Sequence, residues 1–275
     1  MAEGSGVIGA ISLVKGITGT HRAAPTFTTM NVLFSMIQGE DIYNDGRYSF
    51  YENNPELIDI QRIYAKKIGA DYLHFRQDFS KISDLTFRNL PSYHQYIRFV
   101  KMNELSRNYD KVVYLDVDVV PISSESIFDN IVEENVLYSI WMYKEDFGYC
   151  RSVNDIAQVI GDNIYKYSGH TNFGVMGSKG VIDIPFDPEC GFLQCERDEY
   201  IGLEHAFMYL AGKNEVRAEK LGSEWNTIMD GYPESQFLDM LLGKKYKMLH
   251  FSGASKNIFK EKKKLIMKTV ERNLL

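Results

Sequence analysis

The run from Lys111 to Val120, KVVYLDVDVV, places two carboxylates one residue apart at the end of an apolar stretch. A short β-branched run bounded by polar residues reads as a buried strand. Asp116 and Asp118 then fall at the strand's carboxyl end, where an unpaired buried charge is costly and a positive partner is required. Hard divalent cations such as Mg²⁺ and Mn²⁺ take oxygen ligands, typically one or two carboxylates together with substrate phosphates. Open α/β sheets bind ligands beyond the carboxyl ends of their strands. The motif therefore predicts an α/β sheet carrying a metal-bridged phosphate. D-x-D alone is common in exposed loops, so the rest of the chain has to support that reading.

The surrounding pattern alternates. Residues 31–37 form a strongly apolar strand. A helix opens at Asn54-Pro55, with Asn54 as N-cap and Pro55 in the first helical position. It presents Leu57, Ile60, Tyr64 and Ile68 on one face and closes at Gly69. Residues 71–75 read as a second strand, residues 91–107 as a longer helix, and the Asp116 strand follows. Strand–helix–strand–helix–strand is the pattern of parallel βαβ units. The second half is more mixed, with expected strands at 136–142, 173–176 and 246–251 and helices at 198–211 and 233–242. The expected fold class is α/β: a Rossmann-like, mixed but mostly parallel central sheet flanked by helices.

Composition bounds the function classes. Of 275 residues, 44% are hydrophobic and 25% charged, which is ordinary for a globular domain. A net charge of −6 disfavours an extended nucleic-acid-binding face. Cys150, Cys190 and Cys195 form no disulfide framework and no double zinc pair, which points to reduced thiols and a cytoplasmic setting. No apolar stretch reaches the roughly 18 residues of a membrane span. Residues 1–29 are Gly-, Ala- and Thr-rich without the apolar core of a signal peptide, and read as an N-terminal arm, a leader or an appended remnant. Residues 30–258 form the expected main domain. The tail 259–275 carries Lys260, Lys262, Lys263 and Lys264 beside Leu265, Ile266, Val270 and Leu274. It reads as a basic helix that docks on its own domain in preference to a membrane surface.

A second motif lies downstream in His250-Phe251-Ser252-Gly253-Ala254-Ser255-Lys256. His250 can offer an imidazole nitrogen to the same cation. Gly253 lets the backbone approach a phosphate closely. Lys256 can set a point charge on a diphosphate.

With these two motifs the chain resembles the metal-dependent glycosyltransferases of the glycosyltransferase A fold, nearest to the glycogenin and lipopolysaccharide galactosyltransferase group, family 8. The resemblance rests on Tyr114-Leu115-Asp116-Val117-Asp118, on His250 to Lys256, on Arg98 in the helix before the D-x-D strand, on Asn172-Phe173-Gly174-Val175 and on Trp225-Asn226. It covers roughly residues 30 to 258. It implies Asp116, Asp118 and His250 as ligands of Mn²⁺ or Mg²⁺, and Arg98, Asn172, Glu204 and Lys256 as catalytic residues. Gln38, Gly39 and Tyr43 would join Arg98, Asp116, Val117, Asp118, Gly253 and Lys256 around a nucleotide-sugar donor, most simply a UDP-sugar. The product would keep the donor's anomeric configuration. The acceptor, whether glycan, protein, lipid or another hydroxyl, is read by variable loops such as residues 144–167.

The chain departs from the family pattern in Asn257-Ile258 after Lys256, in Glu204-His205-Ala206 and in Gln38-Gly39-Glu40. Two further readings follow. A catalytically inactive nucleotide- or carbohydrate-binding module could keep the fold. A haloacid-dehalogenase-type phosphatase also uses D-x-D after an apolar strand, but normally on its first strand and with a small residue where this chain has Val119.

Overall fold

The D-x-D strand lies inside a six-stranded sheet of a computed structural model that describes residues 30–38, 47–77, 91–142, 170–182, 184, 211 and 214–275. The strands of both sheets, in chain order, are β1 (Asn31–Gln38), β2 (Asp71–Gln77), β3 (Lys111–Leu115), β4 (Val119–Pro121), β5 (Val136–Met142), β6 (His170–Lys179), β7 (Arg217–Leu221), β8 (Thr227–Ile228) and β9 (Met248–His250). The central sheet runs β2-β1-β3-β6-β5-β7, and a small second sheet runs β4-β9-β8. Strand β1 pairs parallel with β2 and β3, and β5 pairs parallel with β7. Strand β6 is antiparallel to both β3 and β5. The sheet is therefore mixed and mostly parallel, as the alternating pattern implied.

Strands covered on both faces should be apolar throughout, and Val32, Leu33 and Phe34 of β1 are all fully buried. Alternate side chains enter two cores. Leu33, Val113, Leu115 and Val175 meet Leu57, Ile60 and Tyr64 of α2 (Glu56–Lys67), which follows the short α1 (Arg47–Glu52). Phe34, Val112, Tyr114 and Phe173 meet Phe99 and Met102 of α3 (Pro91–Leu105) on the other face.

Helix α2 ends as expected. Gly69 has φ +71°, its N–H donates to Lys66 O at 3.3 Å, and the Ala70 N–H reaches Ala65 O at 2.9 Å. That pair of bonds is the Schellman closure, which needs a left-handed residue and so favours glycine. The start of α2 differs from the expectation. Asn54 does not cap it: the side chain is buried and its amide donates back to Phe50 O at 2.7 Å. Pro55, with φ −61°, leads directly into the helix.

The later elements shift as well. The expected helix over 233–242 is a 3₁₀ turn, Glu234–Gln236, followed by α4 (Phe237–Leu242). Strand β6 extends beyond the expected 173–176, because its flanks are polar yet lie within the sheet, Ser178 being fully buried. The β5–β6 register jumps from Ser139↔Met176 to Ile140↔Asn172, leaving Phe173, Gly174 and Val175 outside that pairing. Such irregularities re-aim side chains beside functional sites. Ala211 is helical and buried; the rest of the helix expected at 198–211 lies outside the described residues.

The chain ends in α5 (Lys256–Leu274), which buries Phe259, Ile266, Val270 and Leu274 against the α2-side core. Phe259 meets the rings of Phe50 and Phe251 edge-on, at centroid distances of 6.0 and 5.3 Å. No described helix is long and apolar enough to cross a membrane.

Candidate active site

The D-x-D segment is a tight turn between β3 and β4. The Val119 N–H donates to Asp116 O at 3.0 Å, closing the turn, and the Asp116 N–H donates to Gly174 O at 2.7 Å. Strand β4 then pairs with β9 so that Val119 is the register partner of His250. The Phe251 N–H donates to Asp118 O at 3.0 Å, which fastens the downstream motif to the turn. Sheet pairing thus brings the two distant motifs together.

The resulting cluster is tight. His250 Nε2 lies 3.2 Å from Asp118 Oδ1 and 3.9 Å from Asp116 Oδ2. The candidate ligand atoms of Asp116, Asp118 and His250 all lie within 4.8 Å of one another. The other carboxylate oxygens are held by the protein. Asp116 Oδ1 accepts the Tyr114 hydroxyl at 2.5 Å and lies 3.3 Å from the Arg98 guanidinium. Asp118 Oδ2 accepts the Tyr51 hydroxyl at 3.3 Å and lies 3.6 Å from Lys256 Nζ. Each carboxylate therefore turns one oxygen to a protein cation and the other toward His250. Two carboxylate oxygens and one imidazole nitrogen suit a divalent ion of the Mg²⁺–Mn²⁺ type.

Burial sharpens the electrostatics. Asp118 and His250 are 3% and 4% exposed. Burial alone would push the Asp118 carboxyl up, but His250 and Lys256 beside it outweigh that and hold it at about 2. Burial drives the Tyr114 phenol well above its ordinary value, so it stays a neutral donor to Asp116. The Arg98 guanidinium lies over the Tyr114 ring, 4.9 Å from its centroid, in a cation–π contact that fixes its position.

No protein-family model matches the sequence, and no curated protein matches it. Solved structures share its architecture. One is a glycosyltransferase involved in the glycosylation of the major capsid of PBCV-1, with a TM-score of 0.50, 12% identity, and 86% of this chain aligned to 99% of that one. Another is the bifunctional glycosyltransferase WbbM, with a TM-score of 0.52, 14% identity and 90% of this chain aligned. The chain spans half the length of WbbM. This is the glycosyltransferase A fold.

Within the glycosyltransferase A fold the structure brings part of the sequence-expected set together. Arg98, Asp116, Asp118, His250 and Lys256 converge on one point. Asn172 and Gly174 lie beside it: a Cβ on Gly174 would fall 2.5 Å from His250 Cε1 and 2.9 Å from Asn172 Oδ1, so only glycine leaves room for the imidazole. Asn172 Oδ1 accepts the Gly174 N–H at 2.8 Å and the Asn226 amide at 2.7 Å. The backbone donor fixes the orientation of the Asn172 amide, and hence that of Asn226. Asn172 is left with its own N–H donors to offer a ligand. Gly253 has φ +48°, beside Asp230, which accepts Ser255 N–H at 2.6 Å and Ser252 Oγ–H at 3.1 Å. Val117 is buried in the core, so only its backbone can face a ligand. Gln38 ends β1. Gly39, Tyr43 and Glu204 lie outside the described residues.

Three residues of the site escaped sequence reading. Tyr51 sits on a short helix with no periodic signal, and Asp230 looks like an ordinary loop acid. Gln61 did leave a trace, because it falls between Leu57 and Tyr64 on the apolar face of α2, where a polar residue calls for an explanation.

Proposed function

We propose that this chain is a metal-dependent glycosyltransferase that moves a sugar from a nucleotide-sugar donor, a UDP-sugar with Mn²⁺, to a hydroxyl acceptor with retention of configuration. The observation that carries the reading is the convergence of Asp116 Oδ2, Asp118 Oδ1 and His250 Nε2, with Arg98 and Lys256 on the opposite oxygens of the same carboxylates. Bound to those ligands, a divalent ion would supply Lewis-acid stabilisation of a diphosphate leaving group. The protein's own contribution is positional. Lys256, at the start of α5, presents an ammonium where negative charge builds on the departing phosphate. Arg98 is preorganised by Asp116 and Tyr114 to add a second positive charge. Asn172, its carbonyl already occupied, donates to a sugar oxygen, and Glu204 is assigned to sugar hydroxyls on the resemblance alone. Gly253 admits backbone close to the phosphates. The spacing of the three cysteines fits a reducing compartment.

The test is donor hydrolysis measured on a panel of sugar nucleotides, with Mn²⁺ and with chelator. Turnover is expected with Mn²⁺ and a UDP-sugar, and is expected to vanish in Asp118→Ala and in chelator. Turnover indifferent to both would overturn the proposal. Calorimetric binding of nucleotide with no turnover on any donor would favour the inactive binding module, which the Glu204-His205-Ala206 departure motivates.

A further inference from the structure

Gln61 is fully buried in α2, and its amide is spent on the main chain of the D-x-D turn. Gln61 Nε2 donates to Asp116 O at 2.8 Å and to Val119 O at 2.9 Å. Those carbonyls belong to the first and fourth residues of the turn, so one side chain spans the segment that aims both carboxylates. Asp116 O also accepts the Val119 N–H that closes the turn. A buried amide costs free energy unless its groups are paired, and Gln61 Oε1 is paired as well, accepting the Tyr72 hydroxyl at 3.2 Å.

The pairing continues in a line with one consistent order of donors. Two carbonyl acceptors fix Nε2 of Gln61 toward the turn, so Oε1 faces Tyr72 and the Tyr72 hydrogen is committed to it. Ser35 Oγ, 2.7 Å from the Tyr72 oxygen, must then donate to Tyr72. Ser35 is left only as an acceptor, so His74 Nδ1, 2.9 Å away, must carry the hydrogen. The chain of donors runs from His74 on β2 to Ser35 on β1, back to Tyr72 on β2, and through Gln61 on α2 to the turn.

We infer that Gln61 is a positioning residue for the metal-ligating carboxylates, held in its working orientation by Tyr72, Ser35 and His74. The inference rests on the metal-dependent reading above and deepens it. Residues that orient metal ligands from behind typically control affinity by about 10–100-fold. Tyr64 provides the contrast: it lies on the same helix, is equally buried, and hydrogen-bonds Glu125 O and the Ile127 N–H, away from the D-x-D turn.

The experiment measures Mn²⁺ affinity by water-proton relaxation, together with melting temperature, in wild type, Gln61→Met, Tyr72→Phe and Tyr64→Phe. Gln61→Met is expected to weaken Mn²⁺ binding by at least about tenfold, with Tyr72→Phe changing it in the same direction by less. Tyr64→Phe is expected to lower the melting temperature while leaving the affinity of the folded protein unchanged. The ¹⁵N spectrum of neutral His74 should show the proton on Nδ1 in wild type. Wild type that binds no Mn²⁺ overturns the metal-dependent reading. Wild type that binds Mn²⁺ while Gln61→Met matches it, or while Tyr64→Phe weakens binding as much, overturns the role of Gln61 alone. Should Gln61→Met not fold, Tyr72→Phe with unchanged affinity and an Nε2-protonated His74 overturns it too.

Discussion

His250 Nε2 stands 3.2 Å from Asp118 Oδ1 because Val119 and His250 are register partners across the β4–β9 ladder. The candidate metal site is thus a property of sheet pairing. A one-residue slip in that register would carry His250 to the opposite face and abolish the cluster. His250→Ala should therefore weaken Mn²⁺ binding by more than the roughly 10–100-fold seen when a residue behind a ligand is lost. Titration of Mn²⁺ into wild type and variant checks this.

Gly174→Ala tests how closely the bulged part of β6 approaches that imidazole. The new methyl would sit 2.5 Å from Cε1 and 2.7 Å from Nδ1 of a ring that is itself buried. Overpacking of this kind costs about 1–3 kcal/mol. The variant should melt earlier and bind Mn²⁺ more weakly, because the ring must move. Chemical denaturation with a parallel Mn²⁺ titration reads both.

Arg98→Ala should lower kcat by on the order of 100-fold, about 3 kcal/mol, the usual loss when one preorganised donor to developing charge is removed. Arg98→Lys should recover only part of it. A lysine keeps the charge but not the flat fork that pairs with Asp116 while lying over Tyr114. Steady-state kinetics on the donor decide the order of the three proteins.

Phe259→Ala should destabilise the fold by about 3–5 kcal/mol, as loss of a fully buried ring does. Phe259 joins α5 to Phe50 and Phe251, and α5 begins at Lys256. The variant should therefore also lose donor turnover at temperatures where it is still folded, which denaturation and assay at one temperature can show.

His74 supplies a pH dependence. Burial lowers its pKa from 6.5, and Arg76 and Arg62 add to that. The unfolded chain therefore binds the proton first as pH falls. The stabilisation is present in full above about pH 6.5 and is lost as pH drops through the lowered folded value. His74→Asn should flatten that part of the curve, and melting temperatures taken between about pH 7.5 and 5 would show it.

How far the sequence carries depends on whether a residue acts locally. The βαβ alternation, the Gly69 closure and the residues of the D-x-D and His250–Lys256 motifs were legible, because each is written in a short stretch of period, turn chemistry or charge. The register that joins Val119 to His250 was not, since it follows from the pairing of two strands far apart in the chain. Asn54 misled for a related reason: its type suits a cap, but its amide turns back to donate to the Phe50 carbonyl. Gln61 and Tyr51 carry no local signal of their partners, because a buried amide or phenol is explained only by what the fold sets opposite it.

Asp116 and Asp118 each keep one oxygen against a lasting cation of the protein, Arg98 for the first and Lys256 for the second. Charge inside the cleft is thus balanced by the scaffold itself. The domain therefore does not depend on a bound ion for charge balance, and on the metal-dependent reading the ion can leave and return without unfolding it. Dialysis against a chelator should abolish turnover and lower the melting temperature only by the amount that Mn²⁺ binding adds, leaving a folded metal-free protein, and returning Mn²⁺ should restore both.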